Sequence, residues 1–173
     1  MRYFALKQDG NLINSIEFED FNNSQKTTLL KRDEKTFKES TSIFIKGNKD
    51  SIYPDYFQAP VLMVSDELHK IFRMHENTII YKIVVFSNLK LQTQKVYRLV
   101  LPDIIDGLSD KTTYLKNGWI DKLILDAKKI GEYNIFQVKA GVDYYFIVSL
   151  DVLESMLKRG KFVGIRFIEI GVE

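Results

Sequence analysis

The stretch VSDELHKIFRMHE, residues 64–76, marks the passage of an apolar strand into a helix. Ser65 suits the N-cap, because its hydroxyl can accept a hydrogen bond from a free N–H of the first turn. Asp66 and Glu67 follow where the positive end of the helix dipole favours acidic side chains. The residues that recur at helical spacing and predict one buried face are Leu68, Ile71, Phe72 and His75.

Both histidines of the chain, His69 and His75, lie in this stretch and raise the question of a catalytic or metal site. Their separation corresponds to about 240° of rotation around a helix, so the two side chains lie on different faces. A helical zinc pair needs a spacing of about four positions, and the chain has no third histidine and no cysteine. We therefore predict that His75 lies at the core edge and His69 is exposed, and assign neither a metal or catalytic role.

The pattern on both sides of this helix predicts a chain rich in strands. Apolar and alternating runs occur at 2–7, 12–18, 43–46, 79–86, 94–101, 119–125, 133–139, 143–148 and 161–170. Residues 12–18 are expected to pair back onto the first strand, and 133–139 to form a hairpin with 143–148. A second helix is predicted at 149–159, followed by Gly160 in the left-handed conformation.

These elements predict an α+β fold, a mostly antiparallel sheet with two or three helices, in a single domain covering residues 1–173. Residues 19–42 are polar and charged, and we expect a long loop or a weakly structured segment there, with at most one short element near Thr27–Lys31. Residues 148–157, VSLDVLESML, repeat the order of strand, serine and helix seen at 64–72. We interpret this similarity as the same way of starting a helix after a strand, used at two places, rather than as a duplicated domain.

The composition narrows the classes of function. The chain has 25 basic and 23 acidic residues and a net charge of +2, without the basic excess of a nucleic-acid-binding protein. The absence of cysteine excludes disulfides and thiolate metal sites. No window has the ~20 apolar residues of a membrane span, and the opening MRYFALKQDG lacks the apolar run of a signal peptide. We expect a cytoplasmic protein without a cofactor, a metal, a nucleic-acid partner or a membrane.

The window 53–60 is the strongest candidate for a partner contact in the sequence. Prolines at both ends stiffen it, and it carries Tyr53, Tyr56 and Phe57. Stiff aromatic segments suit this role because they lose little conformational freedom on binding. We predict these three residues as partner-binding, while the alternative that their rings cover the core stays open. Trp119, the only tryptophan, is expected to anchor the core or its edge.

The order of several segments resembles a known family. From Ile43 to the C-terminus the segments are YPDYFQAPVLMVSDELHKIF, YKIVVF, KVYRLVLP, NIFQVKAG and YYFIVSLDVLESMLKRGKFVGIRFIEI. In this order they resemble the bacterial immunity-protein family of polymorphic toxin systems, which was first catalogued as a domain of unknown function. The resemblance implies a cytoplasmic, non-enzymatic protein that binds and neutralises a cognate protein toxin, and it implies no catalytic residues.

Two other classes of protein remain as alternatives. The first is a small-ligand-binding or regulatory α+β domain, which a deep apolar pocket with a few convergent polar groups would favour. The second is an enzyme that uses His69 or His75 together with a carboxylate. The sequence leaves the oligomeric state open.

Overall fold

The computed structural model describes residues 1–31 and 40–173, which contain four helices and many strands. The strands are β1 (Tyr3–Gln8), β2 (Glu17–Phe18), β3 (Thr41–Lys46), β4 (Tyr56–Phe57), β5 (Met63–Ser65), β6 (Ile80–Asn88), β7 (Thr93–Leu101), β8 (Ile104–Ile105), β9 (Thr113–Tyr114), β10 (Ile120–Lys122), β11 (Ile124–Leu125), β12 (Ile135–Ala140), β13 (Asp143–Ser149) and β14 (Ile165–Val172). The helices are α1 (Asn23–Leu29), α2 (Asp66–His75), α3 (Ala127–Ile130) and α4 (Leu150–Arg159). The α+β class predicted from the sequence is confirmed.

The strands form two six-stranded sheets and one two-stranded ribbon. Sheet one has the order β11-β14-β1-β13-β12-β8, sheet two has the order β2-β3-β6-β7-β5-β4, and β9 pairs with β10. Most neighbours are antiparallel, but β3 with β6, β8 with β12, and β11 with β14 are parallel. The sheets are therefore mixed, and the four helices of the described residues exceed the two or three that were predicted.

The two long helices and the facing sides of both sheets share one hydrophobic cluster, which we call the central cluster. Helix α2 contributes the apolar stripe predicted from its sequence, and Leu68, Ile71 and Phe72 are buried. The other members include Phe4, Leu6, Tyr56, Val64, Val100, Phe146, Val148, Val152, Leu153 and Met156. Burial of this stripe stabilises the helix far more than its intrinsic propensity does.

Each sheet is also covered on its other face, because successive side chains of a strand point to opposite sides. In β1, Phe4 and Leu6 enter the central cluster, whereas Tyr3 and Ala5 enter a second cluster. That second cluster, outer cluster one, also contains Leu123, Leu125, Ile130, Phe136, Val138 and Ile147. Outer cluster two, on the far face of sheet two, contains Ile16, Leu29, Ile43, Ile45, Phe57, Val84, Phe86, Tyr97 and Leu99.

The similarity between the two segments in which a strand, a serine and a helix follow one another extends to the order of the surrounding strands. In sheet two, α2 connects β5 to β6, and β7 lies between them. In sheet one, α4 connects β13 to β14, and β1 lies between them. The hydroxyl of Ser65 caps α2 by accepting from the Leu68 N–H at 3.3 Å. Ser149 makes no such bond and instead donates to the amide oxygen of Asn134.

The expected pairing of residues 12–18 with the first strand is wrong. Only Glu17 and Phe18 form a strand there, and this strand, β2, pairs with β3 of sheet two. The physical reason is burial, because Ile16 is buried in outer cluster two and Phe18 packs against it. Apolar side chains from this part of the chain therefore cover sheet two instead of extending sheet one.

Residues 19–42 contain one short helix, which overlaps the short element predicted near Thr27–Lys31 but begins earlier, and the first residues of β3. Helix α1 begins at a capping box, in which the Asn22 side chain accepts from the Gln25 N–H and the Gln25 side chain accepts from the Asn22 N–H. Leu29 anchors α1 in outer cluster two, and β3 begins at Thr41. Residues 32–39 of this predicted loop lie outside the described residues.

Gly160 does not adopt the predicted left-handed conformation. Its backbone is extended, with φ −171° and ψ 168°, so any residue could adopt it. The Gly160 N–H still donates to the Met156 carbonyl at 3.2 Å. Helix α4 therefore ends as the chain runs extended toward Phe162, which packs against the central cluster.

Candidate binding surface

Two of the three residues predicted to contact a partner are buried in the core. Tyr56 is 0% exposed and its hydroxyl donates to the Leu6 carbonyl, while Phe57 is 2% exposed. The two rings point to opposite faces because they are neighbours in β4, with Tyr56 in the central cluster and Phe57 in outer cluster two. Tyr53 is half-buried beneath the Lys95 ammonium, 4.8 Å from its ring centre. The burial of Tyr56 and Phe57 favours the alternative that their rings cover the core.

The prediction that His69 is exposed is also wrong. Its side chain is only 12% exposed, and its Nδ1 is buried without a hydrogen-bond partner among the described residues. Burial lowers the pKa of His69, the charge of Arg98 lowers it further, and Asp66 acts in the opposite direction. Its ring packs beside the ring of Tyr81, in surroundings that favour the neutral imidazole.

His75 has a different neighbourhood and lies at the core edge, as predicted. Its Nε2 lies 2.8 Å from the hydroxyl oxygen of Ser155, so the pair links α2 to α4. Within residues 1–31 and 40–173, no carboxylate lies within hydrogen-bonding distance of either imidazole, and the nearest is Asp66, 4.0 Å from Nδ1 of His69. The histidines are thus not combined with a carboxylate into one site, and no cluster of potential metal ligands occurs in the described parts of the chain.

Trp119 lies on the surface, contrary to the prediction that it anchors the core. It is 52% exposed, and Tyr114 and Leu115 beside it are each 49% exposed. All three belong to the β9–β10 ribbon, whose strands pair only with each other among the described residues. The Leu115 N–H donates to the Trp119 carbonyl at 2.7 Å, and the Gly118 N–H donates to the Leu115 carbonyl. The ribbon thus presents a short, hydrogen-bonded tip with large apolar side chains.

This tip abuts the turn between β12 and β13. A Cβ atom at Gly141 would lie 2.6 Å from the Gly118 carbonyl oxygen, so only glycine permits this approach. Gly141 also has φ +64°, a backbone conformation that favours glycine. The same Cβ at Gly141 would lie 3.9 Å from the ring of Tyr114, and the exposed Val142 follows Gly141 in the chain. We call the surface formed by Tyr114, Leu115, Trp119, Val142 and Tyr144 the hairpin surface.

The hairpin surface borders a groove of about 520 Å³ between the two sheets. Val142 and Tyr144 contribute to its wall, so the two features are continuous. The other apolar lining residues are Leu30, Tyr56, Pro60, Val61, Leu62, Val100, Leu101, Pro102, Ile104 and Phe146. The polar lining residues are Lys26, Gln58, Gln137 and Asp143. A half-open apolar groove with a few polar groups can take an apolar side chain of a protein or a small molecule.

The sequence around Trp119 contains a turn signal that is typical of an exposed position. Lys116, Asn117 and Gly118 separate TTYL from WIDK, and an Asn-Gly pair between two short strands is a hairpin signal. Gly118 has φ +83°, and the Asn117 side-chain oxygen accepts from the Trp119 N–H at 3.1 Å. A tryptophan directly after such a turn lies near a loop tip, where side chains are more often exposed.

Compared with family models, curated proteins and solved structures, the chain has no significant match in any of the three sets. None of the helices in residues 1–31 and 40–173 is long and apolar enough to cross a membrane.

Proposed function

We propose that this protein is a cytoplasmic immunity protein that binds a cognate bacterial toxin through the hairpin surface. The observation that carries the proposal is the exposure of Trp119 beside Tyr114 and Leu115. Aromatic residues of this kind are enriched among the few side chains that dominate binding in protein interfaces. A contiguous exposed apolar patch is also characteristic of a protein contact. The segment order from Ile43 to the C-terminus supports the immunity class in particular.

Neutralisation in this proposal is steric and needs no enzymatic activity. The tight contact between Gly118 and Gly141 holds the ribbon against sheet one, so the hairpin surface loses little freedom when a partner binds. The bound protein covers the active site or the substrate path of the toxin. The net charge of +2 argues against an electrostatic mimic of nucleic acid as the inhibitory principle.

The test measures affinity for the product of the adjacent reading frame, which this proposal expects to be a toxin. A triple variant, Tyr114→Ala, Leu115→Ala and Trp119→Ala, is expected to lose about 2 kcal/mol or more of binding free energy. The matched control removes exposed apolar side chains elsewhere, at Ile13 and Leu89, and is expected to bind like the unmodified protein. Calorimetry that finds equal affinity for the triple variant would remove the hairpin surface from the proposal.

The enzyme alternative is tested through the histidines. A double variant, His69→Ala and His75→Ala, is expected to neutralise the toxin as long as circular dichroism shows that it remains folded. Loss of neutralisation by a folded, toxin-binding double variant would favour the enzyme instead, since binding and catalysis would then be separated.

The groove favours a second candidate function, binding of a small apolar ligand. A ligand retained during purification from the native cell would appear in native mass spectrometry. An Ile104→Arg variant places a bulky charge at an exposed position of the groove wall, outside the hairpin surface, and is expected to lose such a ligand. If the purified protein carries no ligand, and if the variant binds the toxin as tightly as the unmodified protein does, then small-ligand binding is ruled out as a function of the groove. Toxin binding would then remain as the only proposed function.

A further inference from the structure

Strand β14 forms an open edge of sheet one along most of its length. Among the described residues, β11 lies beside only Gly171 and Val172 of β14. No described strand lies beside residues 165–170 on that side. Phe167 is 36% exposed and Ile168 is 40% exposed, and they point to opposite faces of the sheet. An uncovered edge with apolar side chains on both faces is a template for pairing with another strand.

The register between β1 and β14 shows which backbone N–H and C=O groups of β14 point toward its open side. The Asp9 N–H donates to the Gly164 carbonyl at 2.9 Å, and β1 and β14 then pair without a register shift. Because alternate residues of an antiparallel pair exchange hydrogen bonds, the even-numbered residues of β14 bond to β1. On the opposite side, the Glu173 N–H donates to the Leu125 carbonyl at 3.0 Å, as expected for an odd-numbered residue. The residues whose N–H and C=O face the open edge are therefore Ile165, Phe167 and Glu169.

We infer that two copies of this chain pair through β14, antiparallel, across a twofold axis at Phe167. In this register Phe167 faces Phe167 of the second copy, and Ile165 faces Glu169. Each outward N–H then meets an outward C=O, so every backbone group of the three residues is satisfied. The sequence of this segment is IRFIEI, residues 165–170, and the pairing sets Arg166 opposite Ile168. Like charges are never directly opposed, which is a requirement for stable cross-strand neighbours.

The neighbouring structure fixes the length of this pairing. At one end β11 already occupies the edge at Gly171. At the other end Gly164, with φ +83°, turns the chain, and its carbonyl is bonded to Asp9. The pairing between the two copies of β14 therefore involves only three outward-facing residues in each copy. A ladder this short is a small interface, so we expect weak association that increases with protein concentration.

Amide hydrogen exchange of the unmodified protein tests the inference directly. In dilute solution the amides of Arg166, Ile168 and Ile170 exchange slowly, because they bond to β1, whereas those of Ile165, Phe167 and Glu169 exchange fast. At high concentration the second set is expected to become slow as well, and analytical ultracentrifugation is expected to show a dimer. Fast exchange of the odd-numbered set at every concentration, or a monomer throughout, overturns the inference.

A pair of variants at one position separates backbone pairing from side-chain contact. Phe167→Pro removes an outward N–H that bonds to no strand in the monomer, so the fold is retained and the dimer is expected to disappear. Phe167→Thr keeps that N–H in a good strand former, and weaker but detectable dimerisation is expected. If Phe167→Pro dimerises like the unmodified protein, the inference is wrong; if it fails to fold, the exchange experiment decides.

The edge could also take a strand from another protein, and the same measurement distinguishes this outcome. Protection of Ile165, Phe167 and Glu169 that appears only when the toxin is added, with the free protein monomeric, would assign the edge to the toxin and overturn self-pairing. Self-pairing needs no toxin, so its failure leaves the proposed function standing, and a failed toxin interaction leaves the dimer measurement unaffected.

Discussion

The imidazole of His69 packs edge-on against the ring of Tyr81, with ring centres 4.4 Å apart and an interplanar angle of 72°. The contact joins helix α2 to strand β6 at the border of the central cluster. The His69 Nδ1 and the Tyr81 hydroxyl are both buried without a hydrogen-bond partner among the described residues. Two unsatisfied polar atoms in one contact have measurable consequences for stability, because such atoms lose their hydration without compensation.

The first consequence is a pH dependence of stability near neutrality. Burial lowers the pKa of His69 from its ordinary value of 6.5, so the unfolded chain binds a proton at pH values where the folded protein does not. The free energy of unfolding is therefore expected to fall as the pH drops below about 6.5 and to level off below the folded-state pKa. Chemical denaturation at a series of pH values measures this slope, and a His69→Gln variant is expected to show less of it.

The groups around His69 do not obscure this prediction. The charges that face it from α2 and β7 belong to Asp66, Lys70, Arg73 and Arg98. The hydrogen bond from Arg98 lowers the pKa of Asp66 below 3.8, so the contribution of Asp66 is lost only in stronger acid. The same slope in His69→Gln and in the unmodified protein would show that His69 is not its source.

The second consequence concerns Tyr81. A Tyr81→Phe variant keeps the ring contact with His69 and removes a buried hydroxyl without a partner. We expect unchanged stability or a gain of up to about 1 kcal/mol, since no hydrogen bond is lost. Thermal and urea unfolding measure the difference. A loss of more than about 1 kcal/mol would instead indicate that the hydroxyl is hydrogen-bonded in solution.

Removing a buried aromatic side chain is expected to destabilise the fold far more than removing an exposed one. Tyr56→Ala removes a fully buried ring and its bond to the Leu6 carbonyl, and should destabilise the fold by ~3–5 kcal/mol. Trp119→Ala removes a half-exposed ring and should change stability by about 0.5 kcal/mol or less. Urea denaturation of both variants makes the comparison. Similar losses of stability would contradict the surface position of Trp119.

Lys82 is expected to hold helix α1 against sheet two. It is only 4% exposed, and its ammonium donates to the Leu29 carbonyl at 2.8 Å and to the Lys31 carbonyl. Lys82→Met keeps most of the apolar stem but removes the donor, so we expect a loss of ~1–3 kcal/mol and faster amide exchange in α1. Lys90→Met, at an exposed lysine, is the matched control. Equal exchange rates in α1 for both variants would rule out this role for Lys82.

Local sequence patterns correctly predicted the elements whose buried side chains recur at regular spacing. The stripe Leu68, Ile71 and Phe72 identified α2 because side chains at helical spacing share one face. The hairpin of β12 and β13 was also predicted, and its strands pair without a register shift from Ile135 to Ala140. The single-domain prediction and the immunity function stay predictions.

The errors arose where a residue's environment depends on a distant part of the chain. His69 is half-buried because Tyr81 of β6 and Arg98 of β7 approach it, and neither is specified by the helix sequence. Trp119 is exposed because the β9–β10 ribbon finds no further strand among the described residues. Tyr56 and Phe57 are buried because β4 adds to the edge of sheet two, where both of its faces are covered.

The sequence by itself determined α2, α4 and most of the long strands, since alternation and helical spacing act over a few neighbouring residues. Only the tertiary structure decided how strands pair outside the β12–β13 hairpin and which side chains stay uncovered. Phe18 joins sheet two rather than β1, and the outward groups of Phe167 remain without a described neighbouring strand. The physical reason is that pairing and burial depend on the whole set of apolar faces competing for cover, and no short stretch of sequence encodes that competition.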